Sequence, residues 1–124
     1  MSSQTDISHQ IQEVPSADDM RFGIVVAEWN AEITEAMCTA TINTLKEHGA
    51  SDQSIQRHYV PGSYELPQAA NFFAESGKFD AIICLGCIIE GETKHNEFIA
   101  NSVANAIQNV AIKHCLPVIF GVLT

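Results

Sequence analysis

The sequence Ala81-Ile-Ile-Cys-Leu-Gly-Cys-Ile-Ile89 is the longest apolar run of the chain, and it decides the fold class. A continuous apolar run of this length predicts a strand covered on both faces, because a strand with one wet face would alternate apolar and polar residues. Glu90-Gly91-Glu92 ends the run. We therefore expect a central strand at 81–89.

Further strands are predicted before and after this one in the sequence, separated by helical patterns. We expect strands at 22–27, 54–60 and 117–123. Asn30 is the expected cap of the first helix, Gly49 ends that helix, and Gly77 ends a second helix that covers 65–76. A third helix is expected from about Thr93. This β-α-β-α-β-α-β order predicts an α/β fold with a four-stranded parallel sheet and right-handed crossovers.

Length and composition predict a single domain. The 124 residues are 46% hydrophobic and 17% charged. Residues 1–20 are polar and aperiodic and predict a flexible N-terminal arm, and residues 21–124 form the domain. No apolar run approaches the ~20 residues that cross a bilayer. The polar amino terminus lacks the regions of a signal peptide, so we expect a cytoplasmic protein without membrane partners.

The net charge and the cysteine spacing each argue against one class of function. With 15 acidic and 6 basic residues, the net charge of -9 argues against nucleic-acid binding. An anionic substrate would need local hydrogen-bond donors. Cys84 and Cys87 have the C-x-x-C spacing, but side chains three apart on a strand point to opposite faces, which favours buried thiols over a metal or redox pair.

Ligands of parallel sheets bind beyond the carboxyl ends of the strands. That rule selects the segments 28–30, 61–65 and 88–95, and whatever follows Leu123. No phosphate-loop or dinucleotide-binding motif is present, so a nucleotide site is not favoured.

Four residues in these segments could do chemistry, each with an ordinary structural alternative. His95 follows a loop whose backbone N–H groups could bind an anion. It could transfer protons there, or it could be a solvated surface residue. Trp29 could stack on a flat heterocycle or be a core or interface aromatic. Asn30 could cap a helix, contact a polyol, or do both. Glu65 could accept from ligand hydroxyls or simply favour the start of a helix.

Four motifs in these loops resemble 6,7-dimethyl-8-ribityllumazine synthase over residues 21–124. They are Trp29-Asn30, Val60-Pro-Gly-Ser-Tyr-Glu-Leu-Pro67, Gly86-Cys-Ile-Ile-Glu-Gly-Glu-Thr-Lys-His95 and Pro117-Val-Ile-Phe-Gly-Val-Leu-Thr124. The resemblance implies a flavodoxin-like three-layer sandwich and a homopentamer, which can stack into a decamer or a sixty-subunit icosahedral capsid. It also implies active sites between subunits, and no metal or organic cofactor.

The same resemblance implies a role for each matched residue. Trp29 stacks on the pyrimidinedione, and Phe120 reaches the site from a neighbouring subunit. His95 transfers protons. The remaining substrate-binding residues are Asn30, Ser63, Tyr64, Glu65, Ile88, Ile89, Gly91, Glu92 and Thr93, of which the last three form the phosphate-binding turn.

Two departures from the family pattern bear on the phosphate site. Glu90 occupies a position that is basic or Gln in many members. Members also continue beyond the position of Thr124 into helical structure with an Arg and a Lys that serve the phosphate, and neither can be assigned here. For a chain that ends at Thr124 we expect an uncovered fourth strand, weak phosphate binding and little activity.

Three alternatives stay open. An archaeal-type riboflavin synthase would share the fold but needs no phosphate pocket, and the segment 91–95 favours the lumazine synthase. A lumazine- or flavin-binding module, or a cage-forming homologue, would have little activity. A flavodoxin-like electron carrier would want a Ser/Thr-rich loop after the first strand, and Glu28-Trp29-Asn30 offers none.

Overall fold

The computed structural model describes residues 13–89 and 95–124. It contains four strands, three α-helices and two short 3-10 turns. The strands are β1 (Phe22–Ala27), β2 (Ile55–Val60), β3 (Ala81–Cys87) and β4 (Val118–Leu123). The helices are α1 (Ala31–Glu47), α2 (Leu66–Glu75) and α3 (His95–His114), and the 3-10 turns cover Asp52–Ser54 and Ser63–Glu65.

The four strands form one parallel sheet in the order β2-β1-β3-β4. Phe22 of β1 pairs with Ile55 of β2 on one side and with Ala81 of β3 on the other. The predicted α/β class and four-stranded parallel sheet are confirmed. The central strands β1 and β3 are apolar throughout, as expected of strands with helices on both faces. The edge strand β4 is also apolar throughout, but most of its residues are partly or largely exposed.

Helices cover both faces of the sheet and give the three-layer, flavodoxin-like arrangement. On one face, α1 packs Cys38 against Ile24, Val26 and Leu85. On the other face, α2 and α3 enclose a larger core, whose members include Val25, Leu66, Ile82, Val103 and Ile107. Because both cores lie against the central strands, the sheet fixes where the loops at its carboxyl end meet.

The helix-ending glycines were predicted correctly. Gly49 and Gly77 follow α1 and α2 with φ angles of 108° and 68°, in the left-handed region that glycine adopts at little cost. Two predicted boundaries were less accurate. The strand expected at 81–89 ends at Cys87, and the helix expected from Glu65 starts at Leu66 after a 3-10 turn.

The segment before β1 is attached to the domain. Ala17 is buried against Phe22 and Ala50, and its N–H donates to the carbonyl of His48 at 2.7 Å. Residues 1–12 of the predicted N-terminal arm lie outside the described part of the chain.

Apolar surface remains exposed along β4. Ile119 and Leu123 are each about half exposed, and Ile119 borders a groove beside α1. Within residues 13–89 and 95–124, no helix combines the length and hydropathy that a bilayer crossing requires.

Candidate active site

A cleft lies where the connections after β1 and β3 diverge. The chain passes from β1 to α1 on one face of the sheet and from β3 toward α3 on the other, which leaves a crevice at the carboxyl ends of these two central strands. The cleft has a volume of about 480 Å³. Its lining is mostly apolar and consists of Trp29, Asn30, Gly62, Ser63, Tyr64, Cys87, Ile88, Ile89 and Ile99.

Trp29 forms one wall of the cleft, and its side chain is 72% exposed. Its backbone is firmly placed, because the N–H groups of Glu28 and Trp29 donate to the carbonyls of Val60 and Pro61 at 2.7 and 3.0 Å. Trp29 is thus neither a core residue nor a loosely tethered loop residue. It offers an open aromatic face beside the loop that follows β2.

Asn30 occupies the N-cap position of α1, but its side chain does not cap the helix. Its Nδ2 instead donates to the carbonyl of Cys87 at 3.0 Å, which joins the loop after β1 to the end of β3. The expected side-chain cap is therefore wrong. Because a carbonyl can only accept, the amide presents its NH₂ group there, and Oδ1 is the acceptor that Asn30 can offer to a ligand.

The 3-10 turn at 63–65 carries three predicted site residues, of which Ser63 and Tyr64 line the cleft and Glu65 does not. Tyr64 is exposed and lines the cleft. Glu65 accepts a hydrogen bond through Oε1 from the N–H of Gly62 at 2.9 Å. Its side chain lines an adjacent groove of about 250 Å³ with His58, Gln68 and Phe72.

The end of β3 supplies the opposite wall of the cleft. Ile88 is buried, and its N–H still donates to the carbonyl of Leu123 at 2.7 Å, whereas Ile89 is largely exposed. Both side chains line the cleft, as does Ile99 from α3. A flat ring between Trp29 and these isoleucines would contact apolar surface on both faces.

His95 is the first residue of α3 and is exposed. It lies one helical turn before Ile99, so the two side chains share one side of the helix. His95 therefore stands next to the cleft without being among its lining residues. The predicted phosphate-binding residues Gly91, Glu92 and Thr93 lie outside the described residues.

Phe120 does not line the cleft or the groove beside Glu65. It lies on the edge strand β4, where it pairs with Cys84 of β3, and its side chain is 41% exposed. Within one copy of the chain, the structure thus brings together Trp29, Asn30, Ser63, Tyr64, Ile88 and Ile89, and it leaves Phe120 apart.

Three lining residues were not singled out as site residues from the sequence: Gly62, Cys87 and Ile99. Gly62 and Cys87 lie inside the quoted motifs, so their position beside Ser63 and Ile88 was a usable signal. Ile99 was assigned to the apolar face of its helix, and one turn of separation from His95 would have pointed to the cleft.

An apolar cleft with a few polar groups is typical of small-molecule sites, in which the apolar walls bind the ligand and the polar groups orient it. Here the walls are Trp29 and the isoleucines, and the polar groups are the Asn30 amide and the turn at 62–65. The arrangement suits a flat heterocycle that carries a hydrophilic substituent.

Comparisons with known proteins agree with this geometry. Residues 19–124 match the family model described as 6,7-dimethyl-8-ribityllumazine synthase. Curated proteins with that name are similar over most of the chain. The one from Cytophaga hutchinsonii is 46% identical over 99% of this chain and 77% of its own length. The ones from Porphyromonas gingivalis and Phocaeicola vulgatus are 42% and 40% identical over 94% of this chain, and 72% and 69% of their own lengths.

Proposed function

Because the chain belongs to the 6,7-dimethyl-8-ribityllumazine synthase family, we propose that it is the transferase of riboflavin biosynthesis that makes this lumazine. The substrates are 5-amino-6-(D-ribitylamino)uracil and 3,4-dihydroxy-2-butanone 4-phosphate, and the products are the lumazine, phosphate and water. One structural observation carries the proposal. The chain's sole tryptophan lies exposed along an apolar cleft at the switch point of the sheet.

The pyrimidinedione ring binds between Trp29 and the isoleucine wall. Stacking on an indole and contact with Ile88 and Ile89 remove both ring faces from water. Oδ1 of Asn30 accepts a hydrogen bond from an N–H or O–H group of this substrate, since the bond from Nδ2 to Cys87 holds the amide in place and leaves Oδ1 without a partner among the described residues.

The ribityl chain extends from the cleft toward Glu65. Oε1 of Glu65 is bound to the N–H of Gly62, which fixes the carboxylate in the groove next to the cleft. A carboxylate only accepts hydrogen bonds, so it favours a partner rich in hydroxyl donors. A polyol meets that requirement.

The ketone phosphate binds at the amino end of α3, beside His95. This helix is 20 residues long, and the amino terminus of a helix favours anions through unpaired N–H groups and the macrodipole. The matched residues 91–93 precede this helix end in the sequence. A phosphate bound there would place the ketone near both the imidazole and the ring.

The chemistry then consists of proton transfers between two positioned reactants. The primary amine attacks the ketone, and loss of water gives an imine. Phosphate is eliminated, the resulting enol tautomerises, and the ribityl-bearing nitrogen closes the ring with loss of a second water. The imidazole of His95 accepts and returns protons in these steps. Positioning alone can lower the barrier by ~7–11 kcal/mol in favourable cases.

We propose a homopentamer in which each cleft receives Phe120 from a neighbouring copy. Two observations support assembly. Phe120 lies on the edge strand and does not line the cleft of its own chain. In addition, α3 has no charged residue from Phe98 to Ile112, and one side of it exposes Phe98, Asn101, Asn105, Gln108 and Ile112. A solvated helix face of this length normally carries charges, so this side is suited to contact another copy.

The direct test is to incubate the protein with both substrates and to follow lumazine fluorescence together with phosphate release. Stoichiometric formation of both products is expected. Absence of lumazine would reject the proposed activity, and conversion of added lumazine to riboflavin would indicate a riboflavin synthase instead. Light scattering on the same sample distinguishes a pentamer from a decamer or a sixty-subunit capsid.

The role of His95 is tested by His95→Ala. Turnover should fall roughly 10–1000-fold without being abolished, because general acid–base catalysis contributes on this scale while substrate positioning is retained. His48→Ala is the matched control, since His48 is exposed at the opposite end of the sheet, after α1. Unchanged turnover in His95→Ala would remove His95 from the mechanism.

A further inference from the structure

Gly86 lies directly against Ser63, which belongs to the loop after β2 that lines the cleft. It is the next-to-last residue of β3, on the side of the sheet that faces α2. A β-carbon at this position would overlap the hydroxyl oxygen of Ser63 and lie 3.0 Å from Cδ1 of Leu66. The absence of a side chain at residue 86 is therefore what allows Ser63 to lie against the strand.

The Ser63 hydroxyl occupies this space without a hydrogen-bond partner among the described residues. Ser63 is only 7% exposed, and its Oγ is buried. A buried hydroxyl without a partner costs about 1–3 kcal/mol, so hydrogen bonding does not explain its place. Close packing against Gly86 does explain it.

Ser63 is the first residue of the 3-10 turn that carries Tyr64 and Glu65. A displacement of Ser63 away from β3 would move this turn, and with it the Gly62 N–H that binds Glu65. Gly62 also borders Trp29, since a β-carbon at residue 62 would lie 3.6 Å from Trp29 Cδ1. The contact between Gly86 and Ser63 therefore lies next to Tyr64 and Glu65, the two residues of this turn that are assigned to substrate binding.

The neighbouring residue joins the other site loop to the same strand end. The carbonyl of Cys87 accepts the hydrogen bond from Asn30. Two consecutive residues of β3 therefore determine the distance between the loop with Trp29 and Asn30 and the turn with Tyr64 and Glu65.

We propose that Gly86 is a positioning residue for the pyrimidinedione site: by admitting Ser63 against β3, it sets the separation of the two loops that bind the ring and the ribityl chain. This inference rests on the proposed function. It differs from a purely structural role, because it requires that a methyl group at residue 86 weaken ligand binding more than an equally crowded methyl group elsewhere in the core.

Gly23 provides the matched control. It lies near the start of β1, at the opposite end of the sheet, and faces the same helical layer as Gly86 does. A β-carbon there would come within 2.5 Å of Phe73 Cδ2, so Gly23→Ala also inserts a methyl group into a filled space. It does so far from the cleft.

The experiment measures the affinity of each intact protein for 6,7-dimethyl-8-ribityllumazine through quenching of the only tryptophan, Trp29. All variants are compared below their unfolding transitions. Gly86→Ala should bind about 10–100-fold more weakly than the unsubstituted protein, because displacements near 1 Å have effects of this size. KM for the pyrimidinedione should rise in parallel. Gly23→Ala should lose thermal stability but keep its affinity.

A double variant tests whether Gly86→Ala weakens lumazine binding through its contact with Ser63. Ser63→Ala removes the hydroxyl that a β-carbon at residue 86 would overlap, so adding Gly86→Ala to Ser63→Ala should change affinity by only about threefold or less, the non-additivity expected of residues in contact. This pair still gives a result if Gly86→Ala alone does not fold.

Three outcomes would overturn the proposal: equal affinity of Gly86→Ala and the unsubstituted protein, an equal loss in both backgrounds, or a double variant that does not fold. If the unsubstituted protein does not bind the lumazine, the proposed function fails instead. The two failures are therefore distinguishable.

Discussion

Cys84 and Cys87 show how strongly a three-residue separation on a strand changes the environment of a thiol. Cys84 is fully buried in the core under α2 and α3, and burial raises the pKa of its thiol to about 12. Cys87 is partly exposed and lines the cleft. The two side chains point to opposite faces of β3, as the C-x-x-C spacing on a strand predicted.

Cys87 should report on occupancy of the cleft. In a Cys115→Ser variant, which removes the exposed cysteine, we expect one thiol to react readily with an aromatic disulfide reagent. Cys38 and Cys84 are buried and should react only on unfolding. Saturating lumazine should slow the reaction of Cys87 at least about tenfold, since a bound ring removes the thiol from solvent. An unchanged rate with bound lumazine would place the ligand elsewhere.

Cys84 should make the protein sensitive to alkali. Its pKa is about 12 in the folded chain against 9.0 for an ordinary thiol, so the unfolded state loses its proton first. The stabilisation from the buried thiol is complete below pH 9 and is lost as pH rises toward 12, by up to about 1.4 kcal/mol per pH unit.

Urea unfolding on both sides of pH 9 measures this effect. The free energy of unfolding should fall more steeply in the unsubstituted protein than in Cys84→Ala, whose starting value is lower because a cavity forms. If the free energy of unfolding falls equally steeply with pH in both proteins, groups other than Cys84 cause the loss of stability in alkali.

At the scale of elements, the connection between β1 and α1 depends on a backbone conformation that most residues avoid. Asn30 has φ 61° and ψ 48°, in the left-handed region, and its side chain is bonded to Cys87. Asparagine tolerates this region better than other non-glycine residues. The same residue thus determines the direction of the chain and joins two elements.

Replacement of Asn30 separates these two contributions. Both variants lose the hydrogen bond to Cys87, but glycine has no β-carbon and adopts the left-handed region freely, whereas alanine keeps the β-carbon without the polar side chain that lets asparagine tolerate it. The alanine variant should therefore be less stable than the glycine variant by about 1–2 kcal/mol in urea unfolding. Equal stability of the two variants would mean that the loop relaxes to another conformation.

Elements formed by local patterns were predictable from the sequence, and the differences arise where function or distant contacts intervene. β1 has the predicted bounds Phe22–Ala27, because an apolar run between polar residues is a local signal. The apolar run of β3 extends beyond the strand itself: Ile88 still donates a hydrogen bond to Leu123, but the side chains of Ile88 and Ile89 line the cleft. Apolar sequence alone cannot distinguish a strand residue from a cleft residue.

The site was predictable as a set of loops and less so as a set of contacts. The carboxyl-end rule located Trp29, Asn30 and the turn at 63–65 correctly at one rim. The bond from Asn30 to Cys87 joins residues 57 positions apart, so the local capping pattern gave the wrong partner. No sequence signal indicated that Glu65 would line the adjacent groove.

At the scale of the whole molecule, the distribution of charge limits how an anionic substrate can bind. The net charge is -9, and the described basic residues near helix ends, Lys46 and Lys113, lie at the carboxyl ends of α1 and α3. In a parallel sheet those helix ends face away from the rim with the cleft. Under the proposed function, attraction of the ketone phosphate therefore depends on donors close to the site and not on the overall field.

Assembly is the property of the whole molecule that one surface substitution can test. The uncharged side of α3 includes Gln108, and a charge placed there would lose its hydration, without a partner of opposite charge, if this side packs against a neighbouring copy. Gln108→Glu should therefore shift the assembly toward smaller species at low protein concentration, as measured by light scattering, and activity should fall with it if neighbours complete the cleft. Gln53→Glu makes the same chemical change at an exposed position in the 3-10 turn before β2 and should leave the assembly intact. If Gln108→Glu keeps the assembly of the unsubstituted protein, this side of α3 is not the contact between copies, and Phe120 must reach the neighbouring cleft through another interface.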